Sequence, residues 1–328
     1  MNTLRPNMCK SKLIFELVLC LALLIFHSSN VKGQKEESEL DSILLEQISA
    51  LVYLDSITIT PEGSDLEKDR FIQYVLEDES FYNAFLNLRF IGHSFNPDIE
   101  FFNKKNKKVD YYTGIHTQWM KGQCRNMRID EQYHSKSYFK KNKKYRYYTS
   151  KLIDRVFYTQ GQICADSTIK VQPAPDSKFE KYVEDLKTVI FSPGKNVSVP
   201  LVGNKLSIFS EEMQQYYVYS ISYLPNENGS FCYLFDVELK PEFQEISNKT
   251  VISKMTTWFQ EDNFQILKRS YKLRNQNILY TFEIDINVSL TKWNSKYVPN
   301  HVDYDGFWKI VGKKPEVCKF QFNFYEFN

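Results

Sequence analysis

No G-x-S-x-G, Walker A, G-x-G-x-x-G, H-E-x-x-H or EF-hand pattern occurs in this chain, so serine hydrolysis, nucleotide binding, zinc proteolysis and calcium binding have no local signature in it. CxxC spacing is absent, and His93, His116, His134 and His301 never fall at HxxxH or HxH spacing. A metal site is therefore not expected, and no cofactor is expected either. Charge of one sign is lacking as well. The whole chain is formally +2, so nothing global draws it to nucleic acid, and no nucleic-acid partner is expected. Two acidic pairs, Glu261 with Asp262 and Asp303 with Asp305, read as turn residues, where such side chains serve conformation. With no catalytic residue to name, the chain reads as a protein that is not an enzyme.

A long apolar run is also missing. Arg5, Lys10 and Lys12 precede a stretch from Leu13 to Phe26 that is apolar except for Glu16, and the polar stretch His27 to Gly33 follows. A basic head, an apolar run of about 14 residues and a small residue before the cut describe a secretory signal peptide, whereas a spanning helix needs about 20. Residues 1–33 are read as that signal, with Gln34 as the first mature residue. No transmembrane helix is expected after cleavage. The product would be exported, to the periplasm or cell surface, with association to the outer membrane as one placement. The 33 residues carry four Lys/Arg and one Glu, so subtraction leaves the mature part near −1.

What the chain does have is aromatic side chains. They make up 16% of it, with 22 Tyr and 25 Phe, and such residues suit pleated, half-buried surfaces. Residues 34–90 read first as helical. Leu40, Ile43, Leu44, Ile48, Leu51 and Val52 recur at spacings of three and four, followed by Phe71, Ile72, Val75 and Leu76, then Phe81, Phe85, Leu86 and Phe90, with Ser80 as the cap between the last two. From Ile91 to the end the texture is that of antiparallel strands. The pentapeptide KKNKK occurs twice, at Lys104–Lys108 and Lys140–Lys144, each preceded by Phe (Phe102, Phe139) and followed by a Tyr pair (Tyr111 and Tyr112, Tyr147 and Tyr148). Both read as β-hairpin tips. The competing reading is a basic patch for phosphate groups, with aromatics to stack on bases.

One helix interrupts the strands at about residues 177–191. Ser177 and Glu180 form a capping box, and Phe179, Tyr182, Val183, Leu186, Val189 and Ile190 share a face. The last third is the most regular. From Ile278 to Leu290 every even position is apolar and the odd ones polar, the pattern of a long strand with one dry face. Phe320, Phe322 and Phe324 alternate in the same way, and Trp258, Phe259, Phe264 and Ile266 flank a turn at Gln260–Asn263. The fold class is thus α+β and β-rich: a long curved antiparallel sheet with N-terminal helices and an inserted amphipathic covering helix. Four cysteines remain in the mature part, Cys124, Cys164, Cys232 and Cys318. They allow three disulfide connectivities, of which Cys124 with Cys164 is one pair.

The stretches TTWFQEDNFQILKRSYKL, YTFEIDINVSL and YVPNHVDYDGFWKIVGKKPE, with LDSITIT, RFIQYVLEDESFYNAFLNLRF and YRYYTSKL upstream, resemble a family of exported Bacteroidetes proteins of unknown function. The order of helices, long curved strands and covering helix is also similar to the half-barrel of LolA, LppX and RseB type proteins. That resemblance implies a dry concavity for acyl chains, and it transfers no individual residue. The expected lining is Tyr280, Phe282, Ile284, Ile286 and Val288 with Phe320 and Phe322, under a lid of Phe179, Val183 and Leu186. The partner would be a lipid, acyl chain or lipoprotein. The alternative is an envelope module that docks another protein through exposed aromatics around Tyr111, Tyr112, Tyr147 and Tyr148.

Overall fold

The computed structural model describes residues 65–164, 203–225, 229–244, 249–278 and 280–328. Contacts divide the chain into Met1–Ser56 and Ile57–Asn328, and every described residue belongs to the second unit. The signal peptide, the helical pattern at residues 40–52 and the covering helix expected at 177–191 lie outside the described residues.

Two helices begin the described chain, α1 (Asp65–Glu77) and α2 (Ser80–Leu88). Their apolar stripes are where the spacing puts them: Phe71, Ile72 and Val75 are buried on α1, and Phe81, Ala84 and Leu88 on α2. Phe90, expected on this face, is instead exposed beyond the helix end. The cap also differs from expectation. Ser80 is the first residue of α2, and it is Asp78 whose carboxylate accepts the free N–H groups of Ser80 (3.1 Å) and Phe81 (3.1 Å). A carboxylate is the better partner there because it meets the positive end of the helix dipole.

Among the described residues, eleven antiparallel strands form one open, curved sheet. They are β1 (His93–Phe102), β2 (Lys108–Lys121), β3 (Cys124–His134), β4 (Ile163–Cys164), β5 (Tyr217–Pro225), β6 (Phe231–Leu239), β7 (Ile252–Gln260), β8 (Ile266–Gln276), β9 (Tyr280–Trp293), β10 (Lys296–Ile310) and β11 (Glu316–Tyr325). Their order is β4-β3-β2-β1-β11-β10-β9-β8-β7-β6-β5. The sheet is therefore two meanders joined where the last strand of the chain pairs with the first, Ile99 lying opposite Phe320.

Register turns the period-two pattern into rows. On the dry face one row runs Tyr112, Ile99, Phe320, Tyr304, Ile286, Tyr271, Met255 and Val237 across eight strands. On the wet face a matching row runs Glu100, Lys319, Asp305, Asp285, Lys272, Lys254 and Glu238. The contrast between these rows fixes the register, since a one-residue slip would bury the charged row. Asp303 and Asp305 thus lie within β10 and not in a turn, Asp305 pairing with Lys319 at 2.5 Å. Glu261 and Asp262 do occupy the β7–β8 turn. Strand β9 begins at Tyr280, and Ile278, expected as its first dry residue, is 92% exposed in the preceding turn.

The two KKNKK segments separate in structure. The first closes the β1–β2 hairpin, where Asn106 takes a positive φ of 54° and the Asn103 side chain accepts from the Lys105 and Lys107 N–H groups. The second is a tight turn with Lys143 at φ 60°, flanked only by a single bridge between Phe139 and Tyr145. The aromatics after it do not form a strand. Tyr147 stacks on Phe101 with ring centroids 3.6 Å apart, and Tyr148 opens a helix, α3 (Tyr148–Phe157). A short helix α4 (Glu211–Gln214) precedes β5. Among the described residues no helix is long and apolar enough to cross a membrane.

Candidate functional site

Among the described residues, an apolar cavity on the dry face lies beneath α3. In YTSKLIDRVF the apolar residues Leu152, Ile153, Val156 and Phe157 follow a three-to-four spacing, which puts them on one stripe. That stripe faces β8–β11. Between helix and sheet is a cavity of about 30 Å³ lined by Phe85, Thr149, Leu152, Ile153, Val156, Phe157, Tyr271, Ile286, Val288, Val302, Tyr304 and Phe320. Thr149 alone among these is neither aliphatic nor aromatic. A space of this size holds about one water molecule, so a longer guest enters only if α3 moves off the sheet. Leu152 and Val156 at its rim are half-buried, so the wall on the helix side already meets solvent.

The densest group of polar bonds on α3 among the described residues comes from a partner remote in sequence. The residue before the helix, Tyr147, supplies no side-chain cap. Glu316, the first residue of β11, does so instead. Its carboxylate accepts the N–H of Tyr148 at 2.9 Å, the N–H of Thr149 at 3.1 Å and the Thr149 hydroxyl at 2.9 Å. Burial pushes this carboxyl up to about 7 against those stabilising bonds. At the same end the Tyr148 hydroxyl donates to the Trp308 carbonyl at 3.0 Å. At the other end Phe157 meets Phe322 edge to face, with centroids 4.8 Å apart.

Tyr304 shapes the floor. Its ring stacks on Phe320 at 4.5 Å and 6°, and its hydroxyl accepts the Trp308 indole N–H. It reaches that position by lying over Gly306, where a Cβ would stand 2.1 Å from the Tyr304 hydroxyl oxygen. Glycine is required here for the close approach of the ring.

Of the residues expected to line a cavity, Ile286, Val288 and Phe320 do so. Phe282, Ile284 and Phe322 are buried on the same face but packed against the protein's own side chains, Phe282 against Trp308 and Phe322 against Phe95. Tyr280 is the first residue of β9. The lid residues Phe179, Val183 and Leu186 lie outside the described residues. Over β8–β11 the dry face is covered by α3, and the space left beneath that helix is the cavity of about 30 Å³. Missed from sequence were α3 itself and Tyr271, Val302 and Tyr304, although Val302, Tyr304 and Trp308 share the alternation of HVDYDGFW.

The aromatics proposed as a docking surface are mostly turned inward. Tyr112 is buried, with its hydroxyl 2.8 Å from His116 Nε2, while Tyr111 remains exposed. Cys124 and Cys164 form a disulfide that ties β4 to β3, and Cys232 and Cys318 are free and buried. No group of three or more His, Cys, Asp or Glu side chains that could hold a metal ion exists among the described residues.

No protein-family model matches the chain, and no curated protein does. Similar solved structures include one described as an outer membrane lipoprotein-sorting protein domain from Vibrio parahaemolyticus, at 12% identity and TM-score 0.24, covering 80% of this chain and 91% of that one. A LolA superfamily protein from Nitrosomonas europaea aligns at 11% identity and TM-score 0.22, covering 78% and 92%. A DUF1329 family protein from Desulfovibrio piger aligns at 8% identity and TM-score 0.21, covering 76% and 92%. Similarity at this level assigns neither family nor ligand.

Proposed function

We propose that the protein is an exported envelope protein that holds a single apolar chain, such as the acyl chain of a lipid or lipoprotein, between α3 and the dry face of β8–β11. The observation that carries this reading is the cavity wall, which is apolar at every lining residue but Thr149. Such a site needs no side-chain chemistry. Burial of one methylene contributes about 0.8 kcal/mol, so a chain of a dozen carbons supplies on the order of 10 kcal/mol of gross driving force. Part of that offsets the displacement of α3, on which Leu152 and Val156 are only half-buried to begin with.

The opening motion follows from how α3 is tied. Its N-terminal end is bonded to the sheet through Glu316 and Trp308, while its later half is held by the bonds of Asp154 to Tyr145 and Gln160 and by the ring of Phe157 against Phe322. Rotation about the Glu316 end would widen the cavity without breaking the cap. Native mass spectrometry of the protein after incubation with dodecanol tests the reading: one bound chain per protein is expected, and a spectrum of bare protein alone would overturn it. Export rests on residues 1–33, and a secreted product beginning at Gln34 is its expected mark.

A further inference from the structure

Arg269, on β8, is a charged side chain in the middle of the dry face, and among the described residues it forms no ion pair. It is 2% exposed. Its cross-strand neighbours are Thr257 on one side and Val288 on the other, and Val288 is part of the cavity floor. Tyr271, two residues along the same face, is another part of that floor. The guanidinium lies 4.6 Å from the centre of the Phe81 ring, Nε donates to the Thr257 hydroxyl at 3.2 Å, and the buried Nη2 has no hydrogen-bond partner. The carboxylate whose charge acts on it, Asp78, is occupied with the N–H groups at the start of α2 and forms no ion pair with it.

A buried cation that forms no ion pair and leaves one donor nitrogen unpaired is costly for a fold. Its position beside an apolar cavity gives it a use. We propose that Arg269 is the anchor for the head group of the guest, and that the guest is a single-chain amphiphile with an anionic head, a carboxylate or a phosphate. This inference rests on the apolar-chain reading above. Phe81 lies against the guanidinium, and Val288, the cross-strand neighbour of Arg269, lines the cavity. Phe81 is one helical turn from the cavity residue Phe85, with ring centroids 5.7 Å apart. Movement of those side chains with the entering chain joins the two spaces, so that the tail lies under α3 and the head meets Nη2. A guanidinium fits either anion through paired N–H donors, which an ammonium does not reproduce.

Isothermal titration of the full chain with dodecanoate, dodecyl phosphate, dodecanol and dodecyltrimethylammonium tests this, in the unaltered protein, Arg269→Lys and Arg269→Met. In the unaltered protein the anionic amphiphiles are expected to bind about 30-fold or more tighter than dodecanol, in keeping with a charge-assisted bidentate contact, and the cationic one more weakly than dodecanol. The stronger of dodecanoate and dodecyl phosphate identifies the head group. Arg269→Met should abolish the anion preference while leaving dodecanol within about 3-fold, and Arg269→Lys should retain only part of it. Equal binding of dodecanol and both anions in the unaltered protein, or a preference that survives Arg269→Met, overturns the anchor and leaves the apolar-chain reading standing. Failure of all four to bind overturns both. Should Arg269→Met not fold, the head-group series in the unaltered protein and Arg269→Lys still decides.

Discussion

Glu316 and Thr149, 167 positions apart, meet through two hydrogen bonds, the Thr149 N–H and hydroxyl both donating to one carboxylate oxygen at 3.1 and 2.9 Å. The first residue of the last strand thereby caps the helix that roofs the cavity. A cap supplied from the sheet, rather than from the helix's own N-terminal flank, makes the seating of α3 depend on the state of one buried carboxyl group.

That dependence has a sign. The carboxyl of Glu316 is raised from 4.5 to about 7, chiefly by burial. Between those values the folded protein holds more protons than the unfolded chain, so this group's stabilising contribution is complete below about pH 4.5 and is lost as pH rises through about 7. The full effect is on the order of 3 kcal/mol. His93 and His116, lowered by burial to about 4, act in the opposite direction, their contribution being lost as pH falls from 6.5 through about 4. Urea denaturation of the unaltered protein and of Glu316→Gln at pH 5 and pH 8 cancels the histidines. The stability difference between the two proteins should shift by up to about 3 kcal/mol in favour of the variant at the higher pH. A difference independent of pH would show that Glu316 does not titrate there.

Gly306→Ala should be more damaging than an added methyl group usually is in a strand. The new Cβ would stand 2.1 Å from the Tyr304 hydroxyl oxygen and 2.3 Å from its ring, so the ring must leave its stack on Phe320. A loss of about 1–3 kcal/mol is expected, as for other overpacked sites. Tyr304→Phe keeps the ring and removes only the acceptor of the Trp308 indole N–H, at about 1–2 kcal/mol. Thermal denaturation with indole fluorescence as a second readout checks both; Gly306→Ala without a measurable loss of stability would contradict the steric argument.

The disulfide should matter through the loop it closes. Cys124 and Cys164 are 40 residues apart, for which loop-closure entropy gives up to about 4 kcal/mol. The double substitution Cys124→Ser with Cys164→Ser should lower the urea midpoint accordingly, and the protection of core strands that exchange by global unfolding should fall by the same amount. An unchanged midpoint would contradict the entropic role of the bond.

How much of this was legible in sequence divides along physical lines. Alternation over Phe282–Leu290 and Phe320–Phe324 placed these residues on the dry face, because period two leaves a strand no choice of face once the sheet has one. The stripes of α1 and α2 were legible for the same reason at period 3.6. What was not legible depends on partners distant in the chain. Identical KKNKK segments diverge because the first has two strands to join, while the second leads into α3, whose stripe is hidden among flanking tyrosines. The pairing of β1 with β11, the cap from Glu316 and the burial of Arg269 all arise from register between strands, which no local pattern encodes. Asp78 displaced Ser80 as the cap because both were available and the charged one binds the helix end better.

If an apolar chain occupies the space beneath α3, filling that space with a side chain must compete with it. Val302 lies on the cavity floor and is buried, so Val302→Phe directs a ring into the void while leaving the wet face untouched. Titration of dodecanol into the unaltered protein and into Val302→Phe, each first shown to unfold cooperatively, should give binding that weakens at least about 10-fold in the variant, the equivalent of about 1.4 kcal/mol. Equal affinity in both proteins would place the guest elsewhere, and absence of binding in the unaltered protein would remove it.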